Sequence, residues 1–254
     1  LIRDLLHEKK ARAEEGAFVV EGAKACLDLI RRHPQTVLSL TLSSRYLRKE
    51  SESERRLRAN LAARQFVCSE STFQKLSDVE APQGVLAVVR QPQWDENGVL
   101  GGSRVLGIYG DRLQDPANVG AIIRTAAALN LTGLWLSPDS ADHFGPKVVR
   151  VTAATLLSLP VFRTSDVRAL INHHCALYSA LVPSPGTISL KDIRSVPRRV
   201  MIAVGNEGAG LAGSILNLSA VKFAIPLGKN VESLNVAATV AIAAFYLNDL
   251  PIEG

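Results

Sequence analysis

The chain has 254 residues, 47% of them apolar, which suits one large domain or two modest ones, since a domain typically takes roughly 100 to 200 residues. Lysine and arginine outnumber aspartate and glutamate by 29 to 24, and the surplus sits in residues 1–90, which hold 16 basic and 12 acidic side chains; a bias of this size fits a polyanionic partner and a solvated surface alike. Cys26, Cys68 and Cys175 form no CxxC pair, which argues against a disulfide framework and a zinc site, and the longest apolar stretch, 236–247, is shorter than the roughly 20 residues that span a bilayer.

Residues 1–90 alternate helical and extended patterns: a charged helix to about 15, a strand at 18–21, a helix over 22–32, a strand at 37–42, a very charged helix over 52–63, and strands near 66 and at 85–89. This reads as a small α/β domain. The stretch QPQWDENGVLGGS at 91–103 has the composition of a linker. A second alternation fills 104–254, with strands expected at 105–109, 133–136, 161–162, 176–181, 200–204 and 221–225, and helices at 119–129 and 235–248. Strands alternating with helices imply an α/β fold with a mostly parallel sheet covered on both faces. The N-terminus, LIRDLLHEKKARAEEG, lacks an apolar core followed by a cleavage site, so no signal peptide is expected and the location expected is cytoplasmic.

Three segments combine polar side chains with turn-forming residues at the ends of apolar runs: DPANVGAIIR (115–124), GNEGAGL (205–211) and IPLGKNVESLNV (225–236). All three fall beyond the C-terminal ends of expected strands, where open α/β sheets bind ligands. Asn118 reads as an N-cap for a helix beginning at 119. Arg124 interrupts an apolar helix, so its guanidinium either meets an anion or reaches out to water. Glu207 lies among Gly205, Gly208 and Gly210 in a spacing that is neither the dinucleotide fingerprint nor a P-loop, and taken alone it is an exposed acid on a flexible turn. Ser233 reads as a cap for the last helix. That helix, VAATVAIAAFYL, is apolar nearly all round and calls for burial within the fold or against another subunit. No histidine lies in the three segments.

In this order the segments resemble motifs 1, 2 and 3 of the SpoU, or TrmH-type, branch of the SPOUT methyltransferases, which move a methyl group from S-adenosylmethionine to a ribose 2′-hydroxyl of RNA. KKARAEEGAFVVEG (9–22) and APQGVLAVV (81–89) are similar to the beginning and end of that family's ribosomal-protein-L30-like substrate-binding domain. The resemblance implies domains at 1–90 and 104–254 joined by a linker at 91–103, and a deep trefoil knot in the second. It also implies a homodimer packed through the last helix, and RNA, with 23S rRNA expected ahead of tRNA, in place of DNA or membrane as partner. Gly205, Ile225 and Leu234 would hold S-adenosylmethionine, with Leu227 lining its adenine. Arg124, Asn118, Glu207, Ser233 and Asn235 would be the catalytic set, with Arg124 as phosphate clamp and charge stabiliser because a guanidinium stays protonated at ordinary pH. Lys9, Lys10 and Arg12 are suited to RNA backbone contact, as is the cluster Arg55, Arg56 and Arg58 unless it is a solvated helix face. A catalytically inactive RNA-binding protein on the same fold is the competing reading, and no metal is implied. Two departures stand out: Asn130 where relatives commonly carry glycine, and Thr152, Ala153 and Ala154 where they often show serine and glycine.

Overall fold

The computed structural model describes residues 1–164 and 166–253, the side chain of Ala153 excepted; the departure noted at Ala153 and the last residue of the expected 104–254 domain lie outside the described residues. Contacts divide the chain into two compact units, one of residues 1–93 with 142–157 and one of residues 94–141 with 158 onward.

In the first unit, strands β1 (Ala17–Glu21), β2 (Val37–Ser43), β3 (Arg64–Cys68) and β4 (Val85–Arg90) form a sheet in the order β1-β4-β2-β3. β4 runs antiparallel to both neighbours and β2 runs parallel to β3. Alternate residues face opposite sides. Ala17 and Val19 of β1 and Leu86 and Val88 of β4 meet Leu5, Leu6 and Phe73 on one face, while the helix Ala23–Arg32 contributes buried Cys26, Leu29 and Ile30. The expected charged helix to residue 15 is two helices, Ile2–His7 and Lys9–Glu15, because Glu8 is extended (φ −115, ψ 116). The second ends at Gly16, whose φ of +57 favours a residue without Cβ. The helix expected over 52–63 starts where its capping box places it, with Ser51 and Glu54 exchanging side-chain and backbone bonds, but it stops at Ala59. Short helices at Ser44–Lys49 and Glu70–Leu76, absent from the sequence reading, are each capped by a serine hydroxyl, Ser43 and Ser69.

Arg12 is buried, and this corrects the expectation that it faces RNA. Its guanidinium holds Asp142 at 2.7 Å and donates to the carbonyl oxygens of Leu5 and Leu6, so it ties the first two helices to the 142–157 segment within one unit. The reason is that five fixed donors satisfy a partly buried carboxylate and two orphan helix carbonyls at once. Lys9 and Lys10 are exposed. In the 55–58 cluster, Arg58 pairs with the buried carboxylate of Glu50 at 2.7 Å and Arg56 pairs with Glu52, so these charges are largely engaged within the unit.

The second unit carries β5 (Val105–Gly110), β6 (Leu134–Leu136), β7 (Val161–Arg163), β8 (Ala176–Leu181), β9 (Ile188–Ser189), β10 (Arg199–Val204) and β11 (Val221–Ala224). Their order is β7-β6-β5-β10-β8-β11-β9, and every described pairing is parallel. Hence all the strands end on one edge. One face packs Val105, Tyr109, Trp135, Leu177, Met201 and Ala203 with Leu211 and Ile215. The helices Pro116–Ala128 and Val236–Asp249 pack on each other, and the second of them also contacts β10. Asn130 closes the first of these helices with φ +52, the left-handed conformation that asparagine tolerates. Within 91–103, Glu96–Leu100 is helical and its Glu96 accepts the Trp135 indole N–H at 2.7 Å, so part of the expected linker is packed structure.

Arg163, at the end of β7, gathers the carbonyl oxygens of Ser137, Pro138, Ser140 and Ala141 and so fixes the loop after β6. The segment 142–157 that follows packs with the first unit, whereas the sequence reading kept it inside the continuous span 104–254. Replacing Arg12 by alanine leaves the Asp142 carboxylate unpaired in a largely buried setting, and it is expected to cost about 3 kcal/mol. Denaturant unfolding of the full chain, followed by a probe in the first unit, checks this.

Candidate active site

Because the strands of the second unit are parallel, the chain leaves β8, β10 and β11 on the same side. A cavity of about 760 Å3 lies there, lined by 180–184 after β8, 204–211 after β10, and residues 225, 227, 232–236 and 239 after β11. Gly205, Ile225, Leu227 and Leu234, the four expected cofactor residues, all border it, and so do Glu207, Ser233 and Asn235. Asn118 and Arg124 do not.

The turn after β10 is held rather than loose. Asn206 and Gly210 exchange backbone hydrogen bonds of 3.1 and 2.9 Å, and the Asn206 side-chain oxygen accepts the N–H groups of Gly208 and Ala209. The reading of 205–211 as a flexible turn is therefore corrected: glycine serves geometry here. Gly210 has φ +66, and a Cβ on Gly205 would fall well inside contact distance of the Gly210 carbonyl carbon and the Leu211 nitrogen.

Asn118 is not a helix cap. Pro116 takes the first helical position and Asp115 is the cap, accepting the Ala117 N–H at 2.9 Å, an arrangement that proline's fixed φ and missing N–H favour. Asn118 lies inside the first turn, 7% exposed, and its amide is spent on the other two segments. Its Nδ2 donates to Glu207 Oε1 at 2.8 Å, and its Oδ1 accepts from Asn235 Nδ2 at 2.8 Å. Asn235, not Ser233, caps the last helix, its Oδ1 accepting from Ala237 and Ala238. The polarity of the chain follows from its ends: an ionised carboxylate only accepts and a helix N-terminus only donates, so both amides have one permitted orientation. Three segments far apart in sequence are thus joined by two hydrogen bonds.

Ser233 is exposed at the cavity rim, and Arg124 is exposed on the helix Pro116–Ala128, away from buried Val119, Ile122, Ile123 and Ala126. Its charge is thereby kept in reach of water. Sequence reasoning missed Ala180–Ser184, the third side of the cavity. The turn composition VPSPG after an expected strand was the available signal, but it holds no ionisable group to draw notice. Burial raises the Cys175 thiol above its ordinary range, which keeps it protonated and unreactive. Among the described residues no cluster of histidine, cysteine, aspartate and glutamate could hold a metal ion, and no helix is long and apolar enough to cross a membrane.

The model of the SpoU rRNA Methylase family matches residues 106–245, and that of the MRM3-like substrate binding domain matches residues 2–87. The chain belongs to the SpoU rRNA methylase family. It is an S-adenosylmethionine-dependent RNA methyltransferase of the SPOUT class, with the ribose 2′-hydroxyl as the family's acceptor. Among its relatives is the 23S rRNA (guanosine(2553)-2′-O)-methyltransferase RlmP of Bacillus subtilis, 30% identical over 95% of this chain and 92% of that protein. Another is the 23S rRNA (uridine(2479)-2′-O)-methyltransferase of Streptomyces viridochromogenes, also 30% identical, over 95% of this chain and 85% of that protein. The crystal structure of the SpoU methyltransferase AviRb from the same organism, in complex with the cofactor AdoMet, superposes with a TM-score of 0.81 at 25% identity, covering 96% of this chain and 94% of that one.

For a SpoU methylase the strand-end cavity is a fitting cofactor pocket. Its volume lies within the roughly 300 to 1,000 Å3 usual for small-molecule sites, its walls mix apolar Leu181, Leu211, Ile225 and Leu227 with backbone from the turn, and Gly205 lets that backbone close in. Gly205→Ala is expected to displace the turn, to cost about 2 kcal/mol through overpacking, and to abolish S-adenosylmethionine binding; calorimetric titration beside thermal melting checks both.

Proposed function

We propose that the protein methylates a ribose 2′-hydroxyl of 23S rRNA in the cytoplasm, as a homodimer, with the cavity at the ends of β8, β10 and β11 as its S-adenosylmethionine site. The observation that carries this reading is the chain Glu207–Asn118–Asn235 at the rim of that cavity. It unites the three motifs in a protein whose 23S rRNA-modifying relatives align over nearly its full length.

S-adenosylmethionine supplies a methyl carbon on a positively charged sulfonium, already a good leaving group. What remains for the protein is to place the hydroxyl and manage its proton. Glu207 has one carboxylate oxygen engaged by Asn118, which fixes its plane and leaves the other oxygen to orient the ribose or Arg124. Asn118 and Asn235 are committed to holding the loops, so they position and do not touch substrate. Arg124, permanently charged, clamps an RNA phosphate and stabilises the negative charge that grows on the 2′-oxygen. Gly205, Ile225, Leu227 and Leu234 hold the cofactor, and Ser233 supports the motif 3 turn. Exposed Lys9 and Lys10 of the first unit contact the RNA backbone.

The helix Val236–Asp249 supports the dimer. It buries Val236, Val240, Ala243, Ala244 and Leu247 in its own unit but leaves Ile242 43% and Phe245 69% exposed, an apolar pair one turn apart that a second copy would cover. The knot is supported by β10 lying between β5 and β8 with the last helix returning onto β10.

Labelled methyl transfer to unmodified 23S rRNA, with 16S rRNA and total tRNA alongside, tests the assignment. Incorporation at one 23S ribose is the expected result, and incorporation into tRNA alone would overturn the choice of RNA. Arg124→Ala is expected to lower transfer by about a hundredfold or more while S-adenosylmethionine affinity stays near wild type; unchanged turnover would remove Arg124 from the mechanism. Ile242→Asp combined with Phe245→Asp is expected to yield a monomer in light scattering.

A further inference from the structure

Two residues outside the catalytic set grip the turn that carries Glu207. Asp111 and Arg112 directly follow β5. Asp111 is 4% exposed, its N–H donates to the carbonyl of Val204, and its Oδ2 accepts the Ala212 N–H at 2.9 Å. The Arg112 guanidinium closes on the same carboxylate, Nη2 to Oδ2 at 2.9 Å, and Nη2 also donates to the carbonyl of Gly210 at 3.1 Å. The Arg112 carbonyl in turn accepts from Asn206 Nδ2 at 3.0 Å. The turn is held at its first corner, at its last glycine and at its exit.

The backbone of Arg112 makes the choice of residue telling. Its φ is +54, a conformation that side chains disfavour and glycine accepts freely. Glycine would suit the backbone better but could not reach Asp111 or Gly210. A non-glycine residue persists in such a conformation where its surroundings over-determine it. Here the Ser137 hydroxyl takes the Arg112 N–H at 2.7 Å, and Arg163 holds the loop that carries that serine.

We propose that Asp111 and Arg112 are positioning residues for methyl transfer: the pair sets the 205–211 turn so that its outer side forms the cofactor wall and aims Glu207. Neither residue borders the cofactor cavity, so both act through the turn. The cofactor half of this proposal rests on the reading of that cavity given above.

Arg112→Gly and Arg112→Ala test it. The first relieves the backbone and the second does not, but both lose the guanidinium. Both are expected to fold, to weaken S-adenosylmethionine binding by about tenfold, the effect of losing roughly one hydrogen-bonded anchor, and to raise the KM for the cofactor more than they lower kcat. Both should also speed amide hydrogen exchange across 205–211 in the free protein. Wild-type affinity and exchange in both variants would overturn the proposal. So would a neutral Arg112→Gly beside an impaired Arg112→Ala, since that pattern assigns the effect to the backbone alone. If the wild-type protein bound no S-adenosylmethionine, the cofactor reading would fall and the catalytic role with it, whereas the exchange measurement, which needs no ligand, would still separate a held turn from a loose one.

Discussion

A buried amide must find partners for both its ends, and Asn118 finds them 89 and 117 residues away. This requirement governs the second unit. The bond to Glu207 can form only if the turn after β10 lies beside the helix after β5, which the direct pairing of those two strands brings about. The bond to Asn235 needs the last helix to dock on the helix Pro116–Ala128, which its apolar face ensures. A carboxamide is well suited to the centre of this chain because it donates at one end and accepts at the other without ionising. An aspartate in its place would set a second acceptor against Glu207, and an alanine would leave Asn235 and the carboxylate without their partner.

The same turn shows why composition and mobility are separate matters. Its glycines suggest looseness, yet Gly205 and Gly210 each solve a local steric problem, and the freedom they would confer is removed by bonds from Asn206, Asp111 and Arg112. Charge follows a parallel rule in the first unit. The basic surplus of the N-terminal residues is partly consumed inside the unit: Arg12 holds Asp142, and Arg58 holds a glutamate that is itself buried. A count of cations therefore overstates the positive surface available to a polyanion.

Much of the fold could be read directly along the chain. Apolar runs such as 105–109, 176–181 and 200–204 emerge as strands within a residue or so of their expected limits, because a strand buried on both faces leaves a local imprint. The breaks were harder. Glu8 is an exposed residue with no turn-forming character of its own, and the short helices at 44–49 and 70–76 depend on serine caps that differ little in sequence from loop serines. The excursion of 142–157 to the first unit has no local signature, since its recognition depends on what Asp142 and Phe144 meet: Arg12 and Phe18.

For the site, sequence alone determined which polar segments lie at strand ends and the family the chain belongs to, because motif spacing and apolar periodicity are short-range properties. Tertiary structure decided their division of labour. It turned Asn118 from a cap into the joint between three motifs, gave the cap of the last helix to Asn235, withdrew Arg12 from the surface, and recruited Asp111 and Arg112 to the turn. Each of these outcomes depends on which polar group lies within hydrogen-bonding distance of another, and that is settled only when strands distant in sequence are laid side by side.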